Sequence, residues 1–182
     1  MGLAVAAGHP ADGEYAMIDL ARIFRHLFFP PWLARLRFPG PTLDAIERAV
    51  HAAESLHTGE IRFAVEASLT LPALLKGTSA RGRAAQVFSL LRVWDTEENS
   101  GALIYLLLAD RDVEIVVDRG LAAKVQPQEW QHICKAMEES FRGGMLEAGS
   151  IEGIRAVGEL LARHFPSEGK PTNELPNRPT IL

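Results

Sequence analysis

Eight consecutive apolar residues at 102–109, ALIYLLLA, decide most of what this chain can become. Polar turn-formers bound the run: Asp95-Thr96-Glu97-Glu98-Asn99-Ser100-Gly101 precedes it and Asp110-Arg111-Asp112 follows it. So short a run between turn signals predicts a strand, and one apolar on both sides must be covered on both faces. Beyond Asp112 the stretch VEIVV predicts another strand, and so tight a link makes the two an antiparallel hairpin. Asp118-Arg119-Gly120 closes the hairpin.

Upstream, residues 61–67 alternate, with Ile61, Phe63 and Val65 on one face and Arg62, Ala64 and Glu66 on the other, which predicts a strand. Residues 69–77, with Pro72, are expected to be a plain connection. Residues 80–91 carry Ala84, Val87, Phe88 and Leu91 at helical steps, so a helix joins this strand to the central one. Such a crossover makes the two strands parallel. Thr42 is expected to cap a preceding helix running to about Leu56, with Gly59 at its end. A helix opening at Pro127 turns Trp130, Ile133, Cys134, Met137 and Phe141 inward. Arg142-Gly143-Gly144 breaks it, and Ser150 is expected to cap a last helix reaching Phe165. The fold class is therefore α/β: a three-layer α/β/α sandwich with a small mixed β-sheet flanked by helices on both faces.

Composition narrows the function classes. The net charge of −4 gives no global basic field for nucleic acid, and none is expected as a partner. One cysteine, Cys134, excludes an internal disulfide framework and a multi-cysteine zinc site. Its place on an apolar helix stripe predicts a buried, inert thiol. No stretch reaches the roughly 18 apolar residues of a membrane span. Residues 1–16 lack the features of a signal peptide, so a cytoplasmic location is expected, with Met17 as a second candidate start.

Residues 1–38 read as an N-terminal extension, 39–166 as the domain, and 167–182 as a proline-rich flexible tail. Within the extension, residues 17–38 interleave Arg22, Arg25, His26, Arg35 and Arg37 with aromatic and aliphatic side chains, and Pro30-Pro31 divides them. The apolar face of that segment is expected to pack on the domain. The alternative is peripheral contact with an anionic inner-membrane surface.

If the strands at 61–67 and 102–109 are parallel, the loop before the second and the loop after its hairpin mate meet at one rim. Asp95, Glu97, Glu98 and Asn99 then approach Asp118 and Arg119, and His57 and Glu60 join the same edge. Oxygen donors from two loops suit a hard cation such as calcium or magnesium. Solvated acidic turns are the alternative. The candidate metal ligands are Asp95, Glu97, Asn99 and Asp118; no organic cofactor is expected. At the opposite edge Glu66, Ser68, Asp110 and Asp112 read as a polar turn. His51 and His57, six apart, do not share a helix face and read as surface residues. Ser79, Arg81 and Arg83 open the crossover helix without a glycine-rich phosphate loop.

Three landmarks resemble the TPM domain, a family named for thylakoid-lumen, photosystem-repair and nematode receptor-accessory (MOLO-type) proteins. They are the block LRVWDTEENSGALIYLLLADRDVEIVVDRGL, the break Phe141-Arg142-Gly143-Gly144 and the closing helix, spread over residues 59–165. Two departures stand out: Gly120-Leu121 where a second glycine is usual, and Phe38-Pro39-Gly40-Pro41 in place of an aspartate-bearing N-terminal motif. The chain looks closest to a bacterial, signal-less branch whose members accompany LemA-type membrane proteins, which implies a protein partner of that kind. The resemblance also implies a divalent cation and leaves two activities open. One is a non-catalytic accessory domain that docks a membrane-associated partner. The other is a metal-assisted acid phosphatase, for which Asp118 and Arg119 are the candidate residues and no nucleophile is evident.

Overall fold

The computed structural model describes residues 19–167 and 173–182. The candidate start at Met17 and the tail's Pro171 lie outside the described residues.

The doubly apolar run forms β2 (Gly101–Leu107), at the centre of the sheet. It pairs antiparallel with β3 (Asp112–Val117) and parallel with β1 (Glu60–Glu66), with Ile104 opposite both Phe63 and Ile115. All seven residues of β2 are buried, as a strand covered on both sides requires. On one face Phe63, Ile104 and Ile115 meet three helices: α3 (Gly40–Glu54), α7 (Pro127–Arg142) and α8 (Leu146–His164). On the other, Leu103, Tyr105 and Val116 are covered by α5 (Ala80–Leu90) and by α4 (Leu71–Leu75), a short helix within the stretch expected to be a plain connection. Pro72 suits its first turn, where a missing N–H costs nothing. The result is the expected α/β fold with a small mixed sheet between helices.

Two helix starts differ from expectation. α3 begins at Gly40, so Thr42 is already helical, and its hydroxyl donates to Glu147 Oε2 at 2.6 Å instead of capping. α8 begins at Leu146, and Ser150 lies inside it, donating to the Leu146 carbonyl at 2.7 Å. The chain turns from α7 straight into α8 because Gly144 adopts a left-handed φ of 78°. Gly153 lets the pair close up, since a Cβ there would fall 2.2 Å from the Met137 sulfur. Cys134 is buried in this layer, and burial pushes its thiol above the usual range, as an inert thiol requires.

The end of the chain differs most. Residues 173–182 do not run free: β4 (Thr180–Ile181) adds a parallel strand to the outer edge of β1, giving the order β3-β2-β1-β4. Leu182 N–H donates to the Val65 carbonyl at 2.9 Å, and Leu175 is buried. Arg62 fixes the strand from the sheet side through Thr180 Oγ1 at 2.9 Å.

At the other terminus, α1 (Leu20–Leu27) and α2 (Trp32–Arg37) dock in an unexpected sense. The face of α1 turned to the domain is polar: Arg22, Arg25 and His26 all reach Asp110 in the hairpin turn. Leu69 N–H donates to His26 Nδ1 at 2.9 Å, which leaves Nε2–H to donate to Asp110 at 3.0 Å. Ile23, Phe29, Ala34 and Phe38 pack on the core as expected, but Leu20, Phe24, Leu27, Phe28, Trp32 and Leu36 stay exposed, so the expected packing of the apolar side is only partial. No helix among the described residues is long and apolar enough to cross a membrane.

Candidate functional site

Parallel β1 and β2 start at the same rim, and antiparallel β3 returns to it. Three loops are stapled together there. Asp118 N–H donates to the Gly101 carbonyl at 2.9 Å, and Gly120 N–H to the Asn99 carbonyl at 3.1 Å. Gly120 makes that approach possible: a Cβ would stand 2.6 Å from the Asn99 carbonyl oxygen and 2.8 Å from that of Glu98. Asn99 takes a left-handed φ of 54°, which asparagine tolerates better than most residues. Its Oδ1 accepts from Arg119 Nε at 2.9 Å. Thr58 brings in the third loop, its hydroxyl donating to Glu98 Oε2 at 2.7 Å.

The acidic residues of this rim are placed unequally. Asp118 is buried; its Oδ1 accepts from Arg119 N–H at 2.7 Å and caps the turn of α6 (Arg119–Ala122). Its Oδ2 is buried with no partner among the described residues. Asp95, Glu97 and Glu98 are exposed, and Glu97 N–H donates to Glu174 Oε2 at 3.0 Å. The loops of the four candidate ligands therefore meet, but only Asp118 turns an uncommitted oxygen into the protein.

Behind the rim lie groups that the sequence reading underestimated. Glu54, His57 and Glu60 are all buried and line a cavity of about 80 Å³. His57, expected at the surface, is wholly inaccessible, and neither ring nitrogen makes a hydrogen bond of normal geometry among the described residues, though the Gly59 backbone is close by. Burial brings its pKa down to about 4, so the ring is neutral. Glu54 accepts from Ile61 N–H at 2.8 Å through Oε1, while Oε2 has no hydrogen bond of normal geometry among the described residues, though the Asn177 side chain is close by. Burial, assisted by the neighbouring Glu60, pushes its carboxyl up to about 8. Glu60 receives the returning tail, accepting from Glu174 N–H at 2.9 Å and Leu175 N–H at 3.2 Å. The signal for Glu54 was present in the sequence: it continues the Ile46–Val50 stripe at four-residue steps, which puts it on the buried side of α3.

As a cation centre the rim fits in part. Calcium takes about six to eight oxygen ligands. Among the described residues no three His, Cys, Asp or Glu side chains gather as a metal centre. The buried free oxygen of Asp118 fits a cation; the oxygens of Glu98 and Asn99 would first have to exchange their bonds to Thr58 and Arg119. Phosphoryl transfer would need in-line groups around a phosphate. Asp118 is committed to Arg119 N–H through one oxygen, and the Arg119 guanidinium is turned to Asn99.

Larger depressions lie elsewhere. One of about 680 Å³ runs along the hairpin turn and α7, and one of about 670 Å³ lies between α3 and the C-terminal residues. Charged and polar side chains line most of both, and the second also holds a buried Asn177 Oδ1 that makes no hydrogen bond among the described residues.

Comparison with known proteins agrees with the architecture. The profile of the TPM domain matches residues 38–160. Among solved structures, the chain is similar to the NMR structure of the BA42 protein from the psychrophilic bacterium Bizionia argentinensis, at 29% identity and a TM-score of 0.68. That likeness covers 77% of this chain and 92% of BA42. A search of curated proteins returned no match. With a small mixed sheet between helix layers and a family profile spanning most of its length, this chain belongs to the TPM domain family.

Proposed function

We propose that this chain is a non-catalytic accessory domain that takes up a divalent cation at the rim formed by residues 95–101 and 118–120, and that it acts by docking a membrane-associated partner. One observation carries the cation reading: Asp118 holds a buried carboxylate oxygen, Oδ2, that nothing in the described chain satisfies. Leaving such an oxygen unpaired costs about 1–3 kcal/mol, and a hard cation is the kind of ligand that would remove that cost. Asn99 and Glu98, in the loop stapled to residues 118–120, would be the oxygens recruited on binding, and a bound cation would supply charge neutralisation to the rim. The accessory reading is supported by the absence, among the described residues of the rim, of a nucleophile set against a base.

Calorimetric titration of calcium, then magnesium, into chelator-treated protein tests this. Saturable heat and a raised melting temperature are expected for the wild type, and both should be lost in Asp118→Asn. No heat with either ion would remove the cation site. An aryl phosphate assay with the same metals separates the second activity: turnover that falls in Asp118→Ala would overturn the non-catalytic reading.

A further inference from the structure

The N-terminal helices seat Ile23, Phe29, Ala34 and Phe38 on the core but leave a second apolar stripe uncovered. In α1 the residues at one helical stripe, Leu20, Phe24, Leu27 and Phe28, point away from the domain, and Trp32 and Leu36 continue the stripe on α2. Phe28 is 82% exposed and Trp32 63%. The opposite side of α1 carries Arg22 and His26, both bonded to Asp110, which is itself half-enclosed by three donors. An amphipathic helix that rests on water would bury the apolar side and expose the charges. Here the charges have been used to hold the helix, and an apolar patch is left outside. Monomeric proteins seldom expose apolar side chains contiguously in this way without a use for them.

Charge identifies the occupant. Between Leu20 and Phe38 there are four arginines and no acidic residue, while the whole chain carries −4, so the remaining residues carry −8. Arg35 and Arg37 are exposed and make no ion pair among the described residues. Arg37 also shares the lining of a cleft of about 220 Å³ with Arg111 and Arg142, against apolar walls that include Phe29, Leu106 and Phe141. Aromatic and leucine side chains facing outward, flanked by guanidinium groups in an otherwise acidic protein, match the acyl boundary and headgroups of an anionic bilayer.

We infer that α1 and α2 form a membrane-surface anchor: Leu20, Phe24, Phe28, Trp32 and Leu36 enter the interface of an anionic bilayer, and Arg35 and Arg37 contact its headgroups. The clamp on Asp110 keeps the anchor attached to the domain in a fixed orientation. This inference is independent of the cation site, because no residue is shared between them.

Co-sedimentation of the full chain with vesicles tests it, comparing zwitterionic phosphatidylcholine with mixtures containing phosphatidylglycerol. Binding should be at least tenfold stronger on the anionic vesicles and should weaken as salt is raised. The pair Phe28→Ser with Trp32→Ser should lose at least tenfold, and Arg35→Glu with Arg37→Glu should remove the preference for anionic lipid. These side chains are exposed, so matching thermal melts for the variants keep a folding defect distinct from a binding defect. Equal binding by wild type and the Phe28→Ser/Trp32→Ser variant, or none by wild type, would overturn the inference. So would sedimentation as a dimer that Phe28→Ser/Trp32→Ser abolishes, since a second copy would then be the occupant.

Discussion

The two ends of the sheet treat buried charge differently. Where β1 and β2 finish, the chain supplies its own counter-groups. Asp110 receives Arg22, Arg25 and His26; burial alone would raise its pKa, but those hydrogen bonds hold the carboxyl well below the usual range. Glu66 receives Arg83 at 2.8 Å and the Tyr105 hydroxyl at 2.7 Å, and burial beside that carboxylate keeps the hydroxyl well above its usual range, a permanent donor. Where the same strands begin, Glu54 Oε2, Asp118 Oδ2 and both nitrogens of His57 make no hydrogen bond of normal geometry among the described residues. Buried polar groups are normally satisfied, so such exceptions call for an explanation. At the finishing end Glu114 Oε2 also lacks a hydrogen bond, but it keeps an ion pair with Arg81 at 3.6 Å. The difference is one of degree: charged partners answer most of the buried charge at the finishing end, and fewer do so at the starting end.

The sharpest way to break this comparison is to unsatisfy the finishing end. Glu66→Ala strands the wholly buried Tyr105 hydroxyl and takes both carboxylate oxygens from Arg83, which should cost about 3 kcal/mol in urea unfolding. Adding Tyr105→Phe should recover part of that loss, because the stranded donor is then gone. A cost below about 1 kcal/mol would mean that this end is no better satisfied than the other.

A smaller effect is expected at the starting end, and its sign depends on pH. The Glu54 carboxyl stands near 8 in the folded chain against 4.5 unfolded. The unfolded state loses its proton first, so the stability this group contributes is complete below pH 4.5 and is lost as pH rises toward 8. His57, about 4 folded against 6.5 unfolded, runs the other way: its contribution is complete above pH 6.5 and is lost as pH falls toward 4. The two slopes oppose between 4.5 and 6.5, and above 6.5 Glu54 acts without that offset. Glu54→Gln should therefore gain on the wild type by about 1–2 kcal/mol between pH 6.5 and 8, read from urea midpoints at each pH. A difference that stays flat with pH would mean that Glu54 is ionised in the fold.

Much of the frame was legible from residues alone. The doubly apolar β2 and the four-residue link to β3 leave little choice of topology, and that topology brings the Asn99 loop against residues 118–120. What escaped was carried by single polar contacts between distant residues, which no period in the sequence announces. Asp110 reads locally as a turn residue; its partners lie more than eighty positions upstream. The C-terminal residues show little apolar pattern, yet Glu60 holding two of their backbone N–H groups, Arg62 bonding Thr180 and the short ladder to β1 together bring them back to the sheet. The segment at 20–38 is amphipathic, as its pattern indicates, but only part of its apolar side packs on the core, because the Asp110 cluster holds α1 by its polar side.

The central claim is that the starting end of the sheet, and not the finishing end, receives a divalent cation. Amide NMR spectra of isotopically labelled protein, recorded while calcium is added, test it residue by residue. Shifts confined to residues 58–60, 95–101 and 118–120, saturating together and absent in Asp118→Asn, are the predicted result. Shifts centred on Glu66 and residues 108–112, or unchanged spectra at millimolar calcium, would contradict it.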